Sequence, residues 1–429
     1  MVGAGWGVSL FPGCNPSREL LDRLVPDRPA FFWASDGHNG WANSRALAAA
    51  GITASTPDPP RGRIERDAHG NPSGTLREAA ATGVTEKLSP VSFDESLRGL
   101  LTAQARAHAA GITTIHDARV TRSQVAVWQA AEAKGRLTLR VVASLETDPT
   151  RGPEQVDDLV KLRASATRSR VRLTAAKIFL DGVIETHTAA MLAPYADRPH
   201  DRGISEFAPD ALRALALRLD DAGFQIHMHA IGDRAVRDGL DAIEAVTVAH
   251  GPRDRRPHIA HVQLIDPADR PRFPRLGVAA NFQSYWLQDN SDSKVDRVVL
   301  GPSRYAQQYP ARSMWRCGAR VVGGSDWPVT TLAPLDAIEV AVTHRALGDA
   351  HGAVYIPDER VSLAQAIQMY TRNAAWLGFD EARTGTLEVG RRADLVVLDH
   401  DLFKLPSHRI HAARVMLTVA DGAVVYRRR

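Results

Sequence analysis

Cysteine is scarce in this chain. Cys14 and Cys317 are its only two among 429 residues, so no disulfide framework can be drawn and a cytoplasmic location is favoured. No apolar run approaches the roughly 18 residues that a membrane span needs, which argues against a membrane partner. The start, Met1-Val-Gly-Ala-Gly-Trp-Gly-Val-Ser-Leu-Phe11, has no basic segment, so no signal peptide is expected. The net charge of +4 comes mostly from Arg, scattered in pieces such as Arg253-Asp-Arg-Arg256. Without interleaved aromatics these read as a solvated surface and not as a nucleic-acid groove. One further pattern is missing: no His-x-His precedes Lys177.

What is present points to a large folded core. Apolar residues make up 44% and charged residues 24% of the chain, and its length suits a barrel plus an accessory domain. Four segments carry the chemistry. They are Ala175-Ala-Lys177-Ile-Phe-Leu-Asp181-Gly182, Gln225-Ile-His227-Met-His229-Ala230, His258-Ile-Ala-His261-Val-Gln263 and Val321-Val-Gly-Gly-Ser-Asp326-Trp-Pro328. Each contains or follows an apolar run of strand type, with a residue fit to hold a divalent metal. Catalytic groups of a (β/α) barrel sit at the C-terminal ends of its strands, and this is how such a site looks in sequence.

Strands are predicted at 5–11, 30–34, 111–117, 137–144, 173–180, 224–229, 258–261, 278–282 and 320–323. Helices are predicted at 43–50, 93–110, 154–166, 209–222, 233–249, 266–276 and 363–377. Asn43 or Ser44 caps the first helix and Gly51 stops it. Residues 53–75, rich in Pro, Gly and charge, predict an excursion over the active-site mouth with a hairpin at 62–66. From 383 onward the texture turns β-rich, with a hairpin turn at Asp421-Gly422. The alternation of strand and helix before that point argues for parallel strands with covering helices. The predicted organisation is α/β: a TIM-type barrel over 1–382 and part of a β-sandwich over 383–429.

A lone His or Asp at a strand end is usually structural. His229, His261 and Asp326, in that order on one alternating pattern, favour a metal. Asp326 also has a plain alternative, as the cap of the turn before Trp327-Pro328. Lys177 has two readings of equal weight. It snorkels to the barrel rim or pairs with Asp181. Alternatively it is a buried, neutral amine that takes up carbon dioxide, giving a carboxylysine that could bridge two cations. His227 leaves the strand on the same side as His229, so it could help bind a metal, though it reads more readily as packed or facing the pocket. His38, in Ser35-Asp-Gly-His-Asn-Gly40, reads as a substrate-loop residue, while His116 and His187 are spare imidazoles. Trp286 and Trp327, with Trp33 and Trp41, suit an aromatic pocket or the core. The substrate-binding candidates are His38, Asp181, His227, Trp286 and Trp327.

The combination resembles the amidohydrolase superfamily, and within it the amidohydrolase 3, or YtcJ-like, branch. The resemblance rests on Lys177-Ile-Phe-Leu-Asp-Gly-Val183, Thr188-Ala-Ala-Met-Leu-Ala-Pro-Tyr195, His229-Ala-Ile-Gly-Asp-Arg-Ala235, His261-Val-Gln263 and Gly324-Ser-Asp-Trp-Pro328. It extends to Asp36-Gly-His-Asn-Gly-Trp-Ala-Asn-Ser44, Gly74-Thr-Leu-Arg-Glu78, Gly111-Ile-Thr-Thr-Ile-His-Asp117 and the tail Gly385-Thr-Leu-Glu-Val-Gly390, nearly end to end. It implies a TIM-type barrel with one or two divalent metals, usually zinc. Lys177 matches the bridging Lys, His229 the fifth-strand His, and His261 the sixth-strand His. Asp326 matches the last-strand Asp, a ligand that also takes the proton from water.

The family begins with a further segment that supplies the first barrel strand and its His-x-His. This chain is therefore expected to be N-terminally truncated, its barrel incomplete, either through a start assigned too late or through loss of the segment. On that expectation it holds at most one metal, against one or two in a full-length form. The function expected is metal-dependent hydrolysis of carbon–nitrogen bonds other than peptide bonds, in an amide or N-substituted formamide, with Asp326 as general base. The alternative is a catalytically impaired remnant that binds metal or small molecules only. The expected partner is a small-molecule substrate, and the sequence leaves a homo-oligomer open.

Overall fold

A computed structural model of the chain describes residues 1–88, 91–166 and 170–429. The first 88 residues build a sheet of their own. Its strands are β1 Val2–Trp6, β2 Phe31–Ala34, β3 Asn39–Ala42, β4 Gly62–Arg66 and β5 Pro72–Glu78, in the order β1-β2-β3-β5-β4. Only β1 and β2 run parallel. Phe31, Leu47, Ile64, Leu76 and Val84 are buried together behind it, each burial stabilising by about 1.5–3 kcal/mol. The helix Ser44–Ala50 begins where Asn43 accepts the Ala46 N–H at 2.8 Å and ends at Gly51, whose φ of 73° needs no Cβ. Strand β4 pairs with β5, so the hairpin expected at 62–66 belongs to this sheet. The segment meets the barrel through Arg61–Glu206 at 3.5 Å and Arg63–Asp201 at 3.7 Å.

The second sheet is parallel and has seven strands: β6 Thr114–Val120, β7 Arg140–Glu146, β8 Val171–Phe179, β9 Gln225–Ala230, β10 His258–His261, β11 Ala279–Phe282 and β12 Arg320–Gly323. They lie side by side in chain order, with β6 and β12 as the outer strands. Helices Arg122–Ala133, Val156–Ser165, Pro209–Asp221 and Asp233–His250 alternate with them. Their apolar faces join the strand residues in one continuous core that includes Trp128, Leu145, Ile178, Leu215, Met228 and Leu240. This is a TIM-like barrel architecture.

Some predicted elements shift for local reasons. The helix Arg122–Ala133 was not predicted, although Thr121 and Gln124 form a capping box at its start. The helix predicted at 363–377 is two helices, Leu363–Tyr370 and Arg372–Leu377, because Thr371 leaves helical geometry at φ −124°, ψ −96°. The helix predicted at 266–276 shortens to Arg272–Leu276, which starts only after Pro271.

After the barrel come β13 Leu395–Leu398, β14 Val415–Ala420 and β15 Ala423–Arg427, an antiparallel three-stranded sheet. The β14–β15 turn is Asp421-Gly422, with φ of 52° and 79°, the left-handed pair that a two-residue hairpin needs. Thr418 donates to the His108 carbonyl at 2.7 Å, and Arg140 of β7 pairs with Asp394 and Asp421. These contacts tie the sheet to the barrel.

Candidate active site

Register sets two levels at the barrel centre. Lys177 of β8 and His258 of β10 both pair with His227 of β9, so these three side chains form one row. Two residues further along β9, His229 repeats the same side one step nearer the strand's C-terminal end.

The lower row is closed. His227 lies 3.0 Å from Ser144 Oγ through Nδ1 and 3.2 Å from Lys177 Nζ through Nε2. It stacks on His258 with 3.9 Å between ring centroids. His258 is 1% exposed and neither of its ring nitrogens has a partner. Burial holds both imidazoles well below the usual histidine pKa, so both are neutral. Lys177 is 3% exposed, which rules out a lysine at the rim. Its second plain reading also fails, because Asp181 is engaged elsewhere. The Asp181 carboxylate accepts the N–H groups of Ala190, Ile231 and Gly232 at 2.8–3.0 Å. Burial lowers the Lys177 amine to about 7, against the pull of the Asp326 charge.

The upper tier opens on a cavity of about 240 Å³. His229 and His261 face each other with 4.4 Å between ring centroids. His229 Nε2 is 3.3 Å from the Gly182 carbonyl and 3.4 Å from Asp181 Oδ1, contacts that orient the ring from behind. His261 stacks on Trp286, nearly parallel, at 5.4 Å. Its Nδ1 is buried and has no partner. His38 stands 5.1 Å from His229 and meets Glu78 Oε2 at 2.9 Å. Burial opposes its charged form, but Glu78, Asp36 and Asp326 outweigh burial and push the imidazole up to about 9. Asp326 lines the same cavity, and burial raises its carboxyl above the usual range, against Lys177 and His38.

Asp326 is not the cap of its turn. That turn is closed by the Trp327 N–H on Ser325 Oγ at 3.2 Å and the Val329 N–H on the Asp326 carbonyl at 2.8 Å. The backbone at His261 and Asp326 has φ of 75° and 53°. That left-handed conformation is costly for residues with a Cβ, and such strain clusters at functional sites.

Of the predicted residues, His38, His229, His261, Trp286 and Asp326 line the cavity, and Lys177 lies beneath it. Three substrate-binding candidates do not line it. His227 is held in the lower row by Ser144 and Lys177, Asp181 is tied to backbone behind His229, and Trp327 is 38% exposed. The spare imidazoles are occupied too: His187 pairs with Asp197 at 2.9 Å and His116 packs edge-on to His258. Sequence reasoning missed Glu78, Glu185, Asp292 and Asp296. The only available signal was the one-turn spacing of the last two on the helix Ser291–Tyr305.

His229 and His261 form an adjacent imidazole pair with an orphaned buried nitrogen, the donor chemistry that a divalent ion such as zinc takes. Among the described residues, no three His, Cys, Asp or Glu converge closely enough to enclose an ion.

A model described as "Amidohydrolase family" matches residues 1–426. The protein YtcJ of Bacillus subtilis is 29% identical, over 99% of this chain and 79% of that protein. The N-substituted formamide deformylase of Arthrobacter pascens is 30% identical, over 96% and 76%. The crystal structure of an uncharacterized metal-dependent hydrolase from Pyrococcus furiosus superposes with a TM-score of 0.68 at 25% identity, over 92% of this chain and 76% of that one.

Proposed function

The chain belongs to the amidohydrolase family, which makes it a hydrolase of carbon–nitrogen bonds, and we propose that it acts on amides or N-substituted formamides other than peptides. The carrying observation is that the Asp326 carboxylate, free of its own turn, shares one cavity with the adjacent His229–His261 pair. The likeness to the formamide deformylase supports the substrate type.

His229 and His261 would hold one ion, zinc by their chemistry. Lys177, if carbamylated, would add a carboxylate oxygen. A neutral amine is the form that reacts with carbon dioxide, and burial favours it here. The bound metal would polarise the carbonyl and acidify water. Asp326 accepts a proton from the attacking water and delivers it to the leaving nitrogen, so the carbon–nitrogen bond breaks as the new carbon–oxygen bond is fixed. Its raised pKa suits both halves of that transfer. His38 keeps its proton on account of Glu78 and supplies fixed positive charge beside Asp326.

The test is formate release from N-alkylformamides by the purified full chain supplied with zinc. Lys177→Ala should lower the metal content and Lys177→Glu should partly restore it. Tight zinc binding with no hydrolysis of any amide would favour the alternative, a remnant that binds only. Metal content unchanged by Lys177→Ala would remove Lys177 from the ligand set.

A further inference from the structure

The reactive tier occupies only part of the cavity. The same lining includes Glu185, Asp292 and Asp296, together with Trp286, Tyr309 and Tyr355. Among the described residues, none of the three carboxylates forms an ion pair with a Lys, Arg or His.

Asp296 is the sharpest case. It is 2% exposed. Its Oδ2 accepts from Gln263 Nε2 at 2.9 Å and Gln308 Nε2 at 3.1 Å. Its Oδ1 is buried and has no partner. Leaving a buried carboxylate oxygen unmatched is expensive. Protonation does not remove the difficulty, since a hydroxyl on Oδ1 would equally lack an acceptor. Gln263 and Gln308 are neutral and hold the carboxylate in place without cancelling its charge.

The aromatic wall is an independent observation. Tyr309 is 5% exposed and faces this cavity, and its ring packs edge-on against Tyr355 at 6.2 Å. Aromatic faces attract cations and offer nothing to anions. Carboxylates with no cation, set among aromatic rings in one cavity, fit an ammonium group.

We propose that Asp296, Glu185 and Asp292 form a cation subsite, and that the substrate is an amide or formamide carrying a free ammonium group, such as a monoacylated or monoformylated diamine. This rests on the amide-hydrolase reading above and narrows its substrate class. For a formylated diamine, water adds its oxygen to the formyl carbon, the carbon–nitrogen bond breaks, and the leaving nitrogen takes the proton. The products are formate and the diamine. Burial and then the Asp292 charge push Glu185 up to about 8, while burial and then the Glu185 and Asp292 charges raise Asp296 well above its usual range.

The experiment compares N-(5-aminopentyl)formamide with N-hexylformamide, in which a methyl replaces the ammonium at the same length. In parallel, calorimetry measures binding of 1,5-diaminopentane to the zinc-supplied full chain. The expected result is a kcat/KM at least about tenfold higher for the amine-bearing substrate, the scale of one charge-assisted hydrogen bond. Asp296→Asn and Glu185→Gln should each shrink that ratio and weaken diamine binding. Two variants are used so that one that misfolds does not decide the outcome, and circular dichroism identifies it. If both formamides are hydrolysed equally and the diamine does not bind, the subsite is wrong while the hydrolase reading stands. If neither is hydrolysed but the diamine binds wild type and not the variants, the subsite stands and the amide reading falls. If neither is hydrolysed and the diamine does not bind, both fall.

Discussion

His227 and His229 leave one strand on one side, two residues apart, and meet opposite environments. His227 sits in a closed row, its two nitrogens taken by Ser144 and Lys177 and its face covered by His258. His229 sits one step higher, beside His261 and on an open cavity. Both rings are buried and neutral. What separates them is depth along the strand. In a parallel barrel the step from packed bore to reactive mouth is a single pleat. A His-x-His motif therefore does not announce two ligands.

The comparison can be broken first at the upper tier. His229→Ala and His261→Ala should each strip the ion and reduce turnover to background, with the protein still folded. Metal analysis beside an activity assay checks this. A His261→Ala protein with full metal content and full activity would place the reactive centre elsewhere.

The lower row should answer differently. His227→Ala leaves the Lys177 amine without its partner and opens a cavity beside His258. A cost of about 2–4 kcal/mol in unfolding free energy is expected, with metal content kept in the folded protein. Denaturant unfolding and metal analysis on the same sample separate the tiers. Loss of the ion without loss of stability would make His227 a ligand.

The smallest effect concerns His38 and Glu78. The folded pKa of His38, about 9, lies above its ordinary 6.5. The pair's stabilisation is therefore fully present below pH 6.5 and is lost as pH rises toward 9. Other groups titrate in that range, so the quantity to follow is the stability of wild type minus that of Glu78→Gln. It should fall by on the order of 1–3 kcal/mol between pH 6.5 and 9. A flat difference would mean that Glu78 does not hold the proton on His38.

Much of the barrel was legible in the sequence because period and punctuation agree there. Strands 258–261 and 320–323 match their predicted limits, and the helix at 209–221 falls within one residue. The capping of Ser44–Ala50 and the Asp421-Gly422 turn follow from residue chemistry alone. The reactive tier was legible where a residue ends a strand, as with His229, His261 and Asp326. Depth was not legible, so His227 could be read only as packed or facing the pocket, and Asp181 was counted among the substrate candidates although its carboxylate is tied to backbone behind His229. Partners brought from far along the chain were hidden too. Glu78 reaches His38 from β5, and Asp296 reaches the cavity from a helix 33 residues beyond Gln263. No local period marks such meetings.

The central claim is that Asp326 moves the proton and does not merely hold the turn. Asp326→Asn keeps the size of the side chain and one ligand oxygen but removes the base. Its Tm, metal content and kcat should be measured together on the zinc-supplied chain. The expected result is a near-normal Tm, largely retained metal and a kcat lowered by about 10²–10⁴. A destabilised Asp326→Asn protein whose folded fraction turns over normally would contradict it.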